Sequence, residues 1–185
     1  EVIWVDRAIL EHDAFVRLIR DEGVKVRYLQ ELLAETFASG EGIRRELIDH
    51  VASGSAIGIS SSDAVSMCLM DLGAEDLAKH LIGGLTVSEL ECIYTQGLAR
   101  SSLTAAVSGP DAFILPPLPN SLFCRDSSSW IFNGVSINPM YWPARRPESF
   151  NAGFIYHNHP EFRTQKFGFW YPVQDDEKMV TLKDT

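Results

Sequence analysis

Hydrophobic residues recur at helical intervals through the first part of the chain and give way to short alternating runs in the last third. Val2 to Val5 is an apolar run that predicts a short strand, and Asp6 is placed to cap a following helix. In that helix Ile9, His12, Val16 and Ile19 fall three or four residues apart, with Phe15 and Leu18 beside them, which predicts one buried stripe. Gly23 suits a left-handed C-terminal cap. Val24, Val26 and Tyr28 then alternate with Lys25 and Arg27, the pattern of a strand with two unlike faces. From about Gln30 to Leu103 the period is helical again, with Leu32, Leu33 and Phe37 marking one helix and Ile43, Leu47, Ile48 and Val51 a second. The Gly/Ser-rich segment from Ser53 to Ser62 reads as a loop, with Asp63 capping a helix through Met67, Leu69, Met70 and Leu72. Leu77, Leu81 and Ile82 mark another helix, stopped by Gly83-Gly84. Thr86-Val87-Ser88-Glu89 has the spacing of a capping box and opens one more, with Leu90 and Ile93 inside it. The methionines and cysteines of this region, Cys68 and Cys92 included, read as core residues.

The pattern changes after Gly109-Pro110. Fourteen of the nineteen aromatic residues lie between Phe113 and Tyr171, and all eight remaining prolines follow Pro110, which predicts a rigid, loop-rich section. Trp130, Phe132, Val135 and Ile137 bracket Asn133-Gly134, a strong short-range signal for a hairpin turn. The fold class these patterns predict is α/β, organised as residues 1–29, a bundle of short helices over 30–108, and a loop-rich section over 109–185.

Composition narrows the function classes. A chain of 185 residues with 45% hydrophobic content can bury a full core. A net charge of -9 argues against a nucleic-acid partner, which would need concentrated Lys and Arg. No apolar run approaches the ~18 residues of a membrane span, and the N-terminus lacks the features of a signal peptide, so no membrane association is expected. Cys68, Cys92 and Cys124 form neither a CxxC motif nor an even set, which points to a reduced, cytoplasmic protein. The acidic group Asp175-Asp176-Glu177 reads as a solvated loop. His157-Asn158-His159 has ligand-like spacing, but a metal site needs a third and usually a fourth ligand and none is indicated.

The densest candidate chemistry is Pro116-Pro117-Leu118-Pro119-Asn120-Ser121-Leu122-Phe123-Cys124-Arg125-Asp126. Asn120 and Asp126 flank the aromatic ring of Phe123 on a backbone stiffened by three prolines. An aspartate so placed can accept hydrogen bonds from a planar guanidinium while a ring stacks on it. The same residues also suit a plain structural role, with Arg125 and Asp126 in ion pairs and Asn120 capping a turn. Cys124 has no histidine beside it in sequence and reads as a packed thiol rather than a nucleophile.

Leu115-Pro-Pro-Leu-Pro-Asn120, Phe123-x-Arg125-Asp126, Trp130-Ile131 and the block from Gly134 to Arg146 together resemble the arginine deiminase family of the guanidine-modifying pentein superfamily. The similarity continues in Glu148, Ile155-Tyr156, His159-Pro160 and Trp170-Tyr171, and reaches back to Val2-Ile-Trp-Val5 with His12 and to Leu81-Ile-Gly-Gly-Leu85. The resemblance implies an α/β propeller, only partly supplied by this chain, with the helical bundle inserted into it. It implies L-arginine as substrate, with Asp126 as the catalytic aspartate that grips the guanidinium and with Asn120, Phe123 and Arg145 as substrate-binding residues, Arg145 on the α-carboxylate. The implied reaction is hydrolysis to L-citrulline and ammonia, needing no cofactor: a cysteine thiolate attacks the guanidinium carbon, ammonia leaves, and water resolves the covalent intermediate. The family's nucleophile and catalytic histidine are expected beyond residue 185, so this chain alone is expected to be an inactive fragment. Thr181-Leu182 matches the start of the family's Thr-Leu-Glu-Gly-Gly-Asp motif, but Lys183-Asp184-Thr185 follows, a cation where a carboxylate is expected. A partial propeller should expose strand edges and apolar surface, so the isolated chain is expected to be poorly soluble or to survive by self-association as a homo-oligomer. The alternative is a degenerate, non-catalytic module that binds arginine or another subunit.

Overall fold

A computed structural model describes residues 4–53, 59–93 and 109–171. Of the strand expected over residues 2–5, residues 2 and 3 lie outside these ranges, Trp4 stands at a helix N-cap, and Val5 is helical, the first residue of α1 (Val5–Asp21). Asp6 lies inside the first turn of α1 and caps nothing, although its charge still complements the positive end of the helix. At the other end the expected left-handed glycine is present. Gly23 has φ +79°, its N–H donates to Arg20 O at 2.9 Å, and the N–H of Val24 donates to Ile19 O at 3.3 Å. The stripe along α1 is not buried as its spacing predicts: Val16 is enclosed, while Ile9, Phe15 and Leu18 are exposed.

Residues 24–28 join no strand and pair with none of the described strands; Tyr28, just before α2, has extended dihedrals (φ -92°, ψ 139°). Alternation fixes where side chains point but does not supply a neighbouring strand. Charge holds this segment instead. Lys25 Nζ and Arg27 Nη1 donate to Glu161 at 2.7 and 2.9 Å, and Arg27 Nη2 donates to Glu35 at 2.5 Å. Glu35 also accepts from His159 Nε2 at 2.9 Å. The buried ring of His159 accepts the N–H of Glu161 at Nδ1 (3.1 Å), which assigns its proton to Nε2.

The helical bundle follows as α2 (Leu29–Ala38), α3 (Glu41–Ser53), α4 (Ile59–Asp71) and α5 (Ala74–Gly83). Because α4 begins at Ile59, Ser60 to Ser62 are helical and Asp63 lies inside the helix, not at its cap. Burying Val65, Cys68 and Leu69 outweighs the modest helix propensity of serine. Met67 faces solvent, against the expectation that it joins the core. The thiol of Cys68 does join it, and burial, aided by the nearby charge of Asp71, pushes its pKa up to about 11. At the end of α5, Gly84 has φ +87°, and a Cβ there would stand 2.8 Å from Leu115 O and 2.9 Å from Pro117 N. The chain then forms β1 (Leu85–Thr86) and α6 (Val87–Ile93). The capping box forms as expected, with Thr86 N–H donating to Glu89 Oε2 at 2.9 Å and Glu89 N–H donating to Thr86 Oγ1 at 3.3 Å. Strand β2 (Phe113–Leu115) pairs antiparallel with β1.

The last section holds the short helix α7 (Cys124–Ser127), then β3 (Ser128–Ile131), β4 (Gly134–Ile137), a 3-10 turn (Pro143–Arg145), α8 (Arg146–Asn158), α9 (Pro160–Arg163) and β5 (Gly168–Tyr171). The sheet order is β3-β4-β5, with β3 antiparallel and β5 parallel to β4. The hairpin turns one residue earlier than its sequence signal predicts. Ile131 pairs with Gly134, so Phe132 and Asn133 form the loop, with Phe132 at φ +52° and 98% exposed. Gly134 is reserved for the sheet, where a Cβ would meet Trp170 Nε1 at 2.6 Å and Gly168 O at 2.8 Å. A hydrophobic cluster containing Leu33, Leu47, Leu69, Leu77, Leu85 and Ile114 is joined by Phe154 and Ile155 of α8, so the bundle and the last section share one core. The fold is of mixed helix and strand class. No described helix is long and apolar enough to cross a membrane.

Candidate functional site

The proline-stiffened loop ends against α8, and a buried glutamate makes the junction. Glu148 lies in the first turn of α8 with its side chain 3% exposed. Its Oε1 accepts the main-chain N–H of Asn120 at 2.9 Å, and its Oε2 accepts two hydrogen bonds from Arg145, from Nε at 3.1 Å and Nη2 at 2.8 Å. Arg145 ends the 3-10 turn that leads into α8, and its side chain is 18% exposed. From there Nη2 also donates to Asp126 Oδ2 at 2.9 Å. Asp126 belongs to α7, and its side chain is 45% exposed on the solvent side of the cluster. Hydrogen bonds to Glu148, against the opposing cost of desolvation and with help from Asp126, hold the pKa of Arg145 above its ordinary range.

The aspartate is held from behind through its backbone. Asn138, just past β4, donates from Nδ2 to Asp126 O at 3.1 Å and to Ser129 Oγ at 3.0 Å. Its own N–H donates to Ser127 O at 3.0 Å, and its carbonyl accepts from Ser149 Oγ at 2.7 Å. Asn138 thereby links the strand, the short helix and α8 at one point. Phe123 precedes α7 with its ring exposed; its N–H donates to Asn120 O at 2.9 Å, and its carbonyl accepts from Asp126 N at 3.3 Å. The backbone from Asn120 to Asp126 is therefore folded tightly upon itself, leaving the Phe123 ring and the Asp126 carboxylate at the surface.

Asn120, Asp126 and Arg145 are thus brought together around Glu148, and Phe123 is adjoined through the backbone. Sequence reasoning gave Glu148 no role, although its spacing of three residues from Arg145 on a helix start is a signal for an ion pair. Asn138 likewise had no role assigned. Cys124 is exposed rather than packed, and its Sγ donates to Leu122 O at 3.8 Å. His157 lies in α8 and stacks on Phe169 with ring centroids 4.1 Å apart, and His159 is engaged with Glu35 and Glu161. Among the described residues no group of three or more His, Cys, Asp or Glu could hold a metal ion. Lys183, with the rest of the Thr181–Thr185 segment, and the Asp175–Glu177 group lie outside the described residues.

A family model described as arginine deiminase matches residues 1–183. The chain belongs to the arginine deiminase family.

Proposed function

We propose that this member of the arginine deiminase family holds L-arginine between Asp126 and Arg145, and that the reaction this grip serves is hydrolysis of the guanidinium to L-citrulline and ammonia. The observation that supports the reading is that Asp126 already accepts a hydrogen bond from a guanidinium, that of Arg145, at 2.9 Å. The substrate presents the same group. An extended arginine spans about 7 Å from guanidinium carbon to carboxylate carbon, six bonds of roughly 1.3–1.5 Å each. Asp126 and Arg145 in direct contact leave no room for that length, so the incoming guanidinium must displace Arg145 from Asp126. Arg145 is then free to pair with the substrate carboxylate, a planar fork meeting a planar anion. The exposed ring of Phe123 is available to pack on the substrate guanidinium, and Asn120 contributes from the loop.

The wider reading goes with this one. Residues 1–29 and 109–185 are parts of a pentein propeller, and 30–108 is a helical insertion. Exposed apolar side chains, including Trp4, Phe15, Leu18, Phe132 and Trp142, support self-association into a homo-oligomer, and the free thiols of Cys68 and Cys124 suit a reducing, cytoplasmic setting.

The test is titration of L-arginine into the chain by calorimetry, beside the Asp126→Ala variant. Loss of one charged partner to a guanidinium is expected to weaken binding by at least about tenfold, allowing for the partial exposure of the site. An unchanged affinity in Asp126→Ala would show that the Asp126–Arg145 contact is only a structural ion pair. A citrulline assay separates the two functional readings when it is run on a form of the chain that carries the family's cysteine and histidine: the hydrolase releases citrulline, whereas a binding module retains arginine without releasing it.

A further inference from the structure

We infer that Glu148 is a positioning residue of the arginine site, keeping Arg145 in place when substrate takes Asp126 away from it. The inference rests on the arginine-holding reading given above.

Three observations meet at this carboxylate. Its side chain is almost fully enclosed, and a buried carboxylate is retained only when its lone pairs are satisfied. Oε2 takes both Nε and Nη2 of Arg145, at 3.1 and 2.8 Å, which fixes the plane of the guanidinium as well as its position. Oε1 takes the N–H of Asn120 at 2.9 Å, so the same carboxylate sets how the loop bearing Asn120 and Phe123 sits beside Arg145.

The need for such a group follows from the geometry of displacement. Arg145 is tied to Asp126 through one hydrogen bond and to Glu148 through two. When an incoming guanidinium replaces it at Asp126, the two bonds to Glu148 remain, and Nη1, which makes no hydrogen bond among the described residues, can turn to the substrate carboxylate. Without the charge at Glu148, Arg145 would keep Asp126 as its one anionic partner among the described residues. It would then compete with substrate for that aspartate and would lack a fixed place from which to meet the carboxylate. Glu148 itself touches neither end of the substrate and acts through Arg145 and the Asn120 backbone.

The experiment compares L-arginine with agmatine, which carries the guanidinium but no carboxylate. Each is titrated calorimetrically into the unsubstituted chain, Glu148→Gln and Glu148→Asp, with thermal unfolding run on every sample. The unsubstituted chain is expected to prefer arginine over agmatine. Glu148→Gln keeps an acceptor for Asn120 but removes the charge, and should cut that preference by roughly tenfold, the size of one charge-assisted hydrogen bond. Glu148→Asp keeps the charge on a shorter stem and should restore part of the preference. It is also the deciding variant if Glu148→Gln does not fold. A preference for arginine that is unchanged in the charge-neutral variant, or equally lost in both variants, overturns the assignment of Glu148 while leaving the arginine reading intact. An unsubstituted chain that binds neither compound removes the arginine reading and this assignment together.

Discussion

Alanine at position 134 should damage this fold far more than its single methyl suggests. The added Cβ would lie 2.6 Å from Trp170 Nε1, 2.8 Å from Cε2 of the same ring, and 2.8 Å from the carbonyl oxygen of Gly168. The last of these is backbone of the parallel neighbour β5 and cannot retreat without shifting the ladder. The indole is held by its own hydrogen bond from Nε1 to Ile131 O at 3.0 Å, so turning it aside breaks that bond. Overpacking of this kind costs ~1–3 kcal/mol and the lost hydrogen bond a further ~0.5–1.5, so Gly134→Ala should destabilise by about 1.5–4.5 kcal/mol. Gly153→Ala is the matched control. Gly153 lies inside α8, where the nearest atoms to an added Cβ belong to the Ile137 side chain, at 3.6 to 3.8 Å. Ordinary contact and the better helix propensity of alanine should leave this variant stabilised by about 0.5–1 kcal/mol. Urea unfolding followed by far-UV circular dichroism and tryptophan fluorescence measures both. Should Gly134→Ala fall within ~0.5 kcal/mol of the parent, the usual scatter for uninvolved sites, the packing of β4 against Trp170 described above is wrong.

Other consequences are equally open to measurement. Thr86→Ala removes the cap of α6 and should cost about 1 kcal/mol in the same unfolding assay. The Thr86 N–H, then the Thr86 hydroxyl, hold the Glu89 carboxyl below its ordinary value of 4.5, so its contribution is present above that value and is lost as pH falls through the lowered one; Glu89→Gln should flatten the acid limb of a stability-versus-pH curve. In the folded protein a thiol reagent at neutral pH should modify Cys124 and spare Cys68, whose buried thiol has a pKa pushed up to about 11, as mass spectrometry of the labelled peptides would show. Sedimentation should find self-associated species, and a monodisperse monomer would count against the oligomer.

What the sequence made legible was mostly local. The capping box at Thr86–Glu89 and the glycine stop after Gly23 form as read, because each is settled by hydrogen bonds among neighbouring residues. The strand expected at residues 24–28 did not form, because pairing depends on a partner that alternation cannot reveal, and Lys25 and Arg27 found Glu161 and Glu35 instead. The start of α4 was misplaced because serine-rich segments suit loops and helices alike until the burial of Val65, Cys68 and Leu69 decides. The hairpin slipped by one residue because Gly134 answers to Trp170 and Gly168, more than thirty positions away in the chain. The candidate site divides in the same way. Asp126 and Arg145 were legible as the chemistry of guanidinium and carboxylate recognition, whereas Glu148 is a tertiary junction, visible only once α8 is packed against the loop.

The central claim is that arginine is held where Asp126, Arg145 and Glu148 converge. Its most direct test is titration of L-arginine into the isotopically labelled chain, followed by backbone amide NMR. The account predicts shifts concentrated at Asn120, Phe123, Asp126 and Arg145, with the amides of α2 to α5 unmoved. Shifts confined to the helical bundle, or none at saturating arginine, would contradict it.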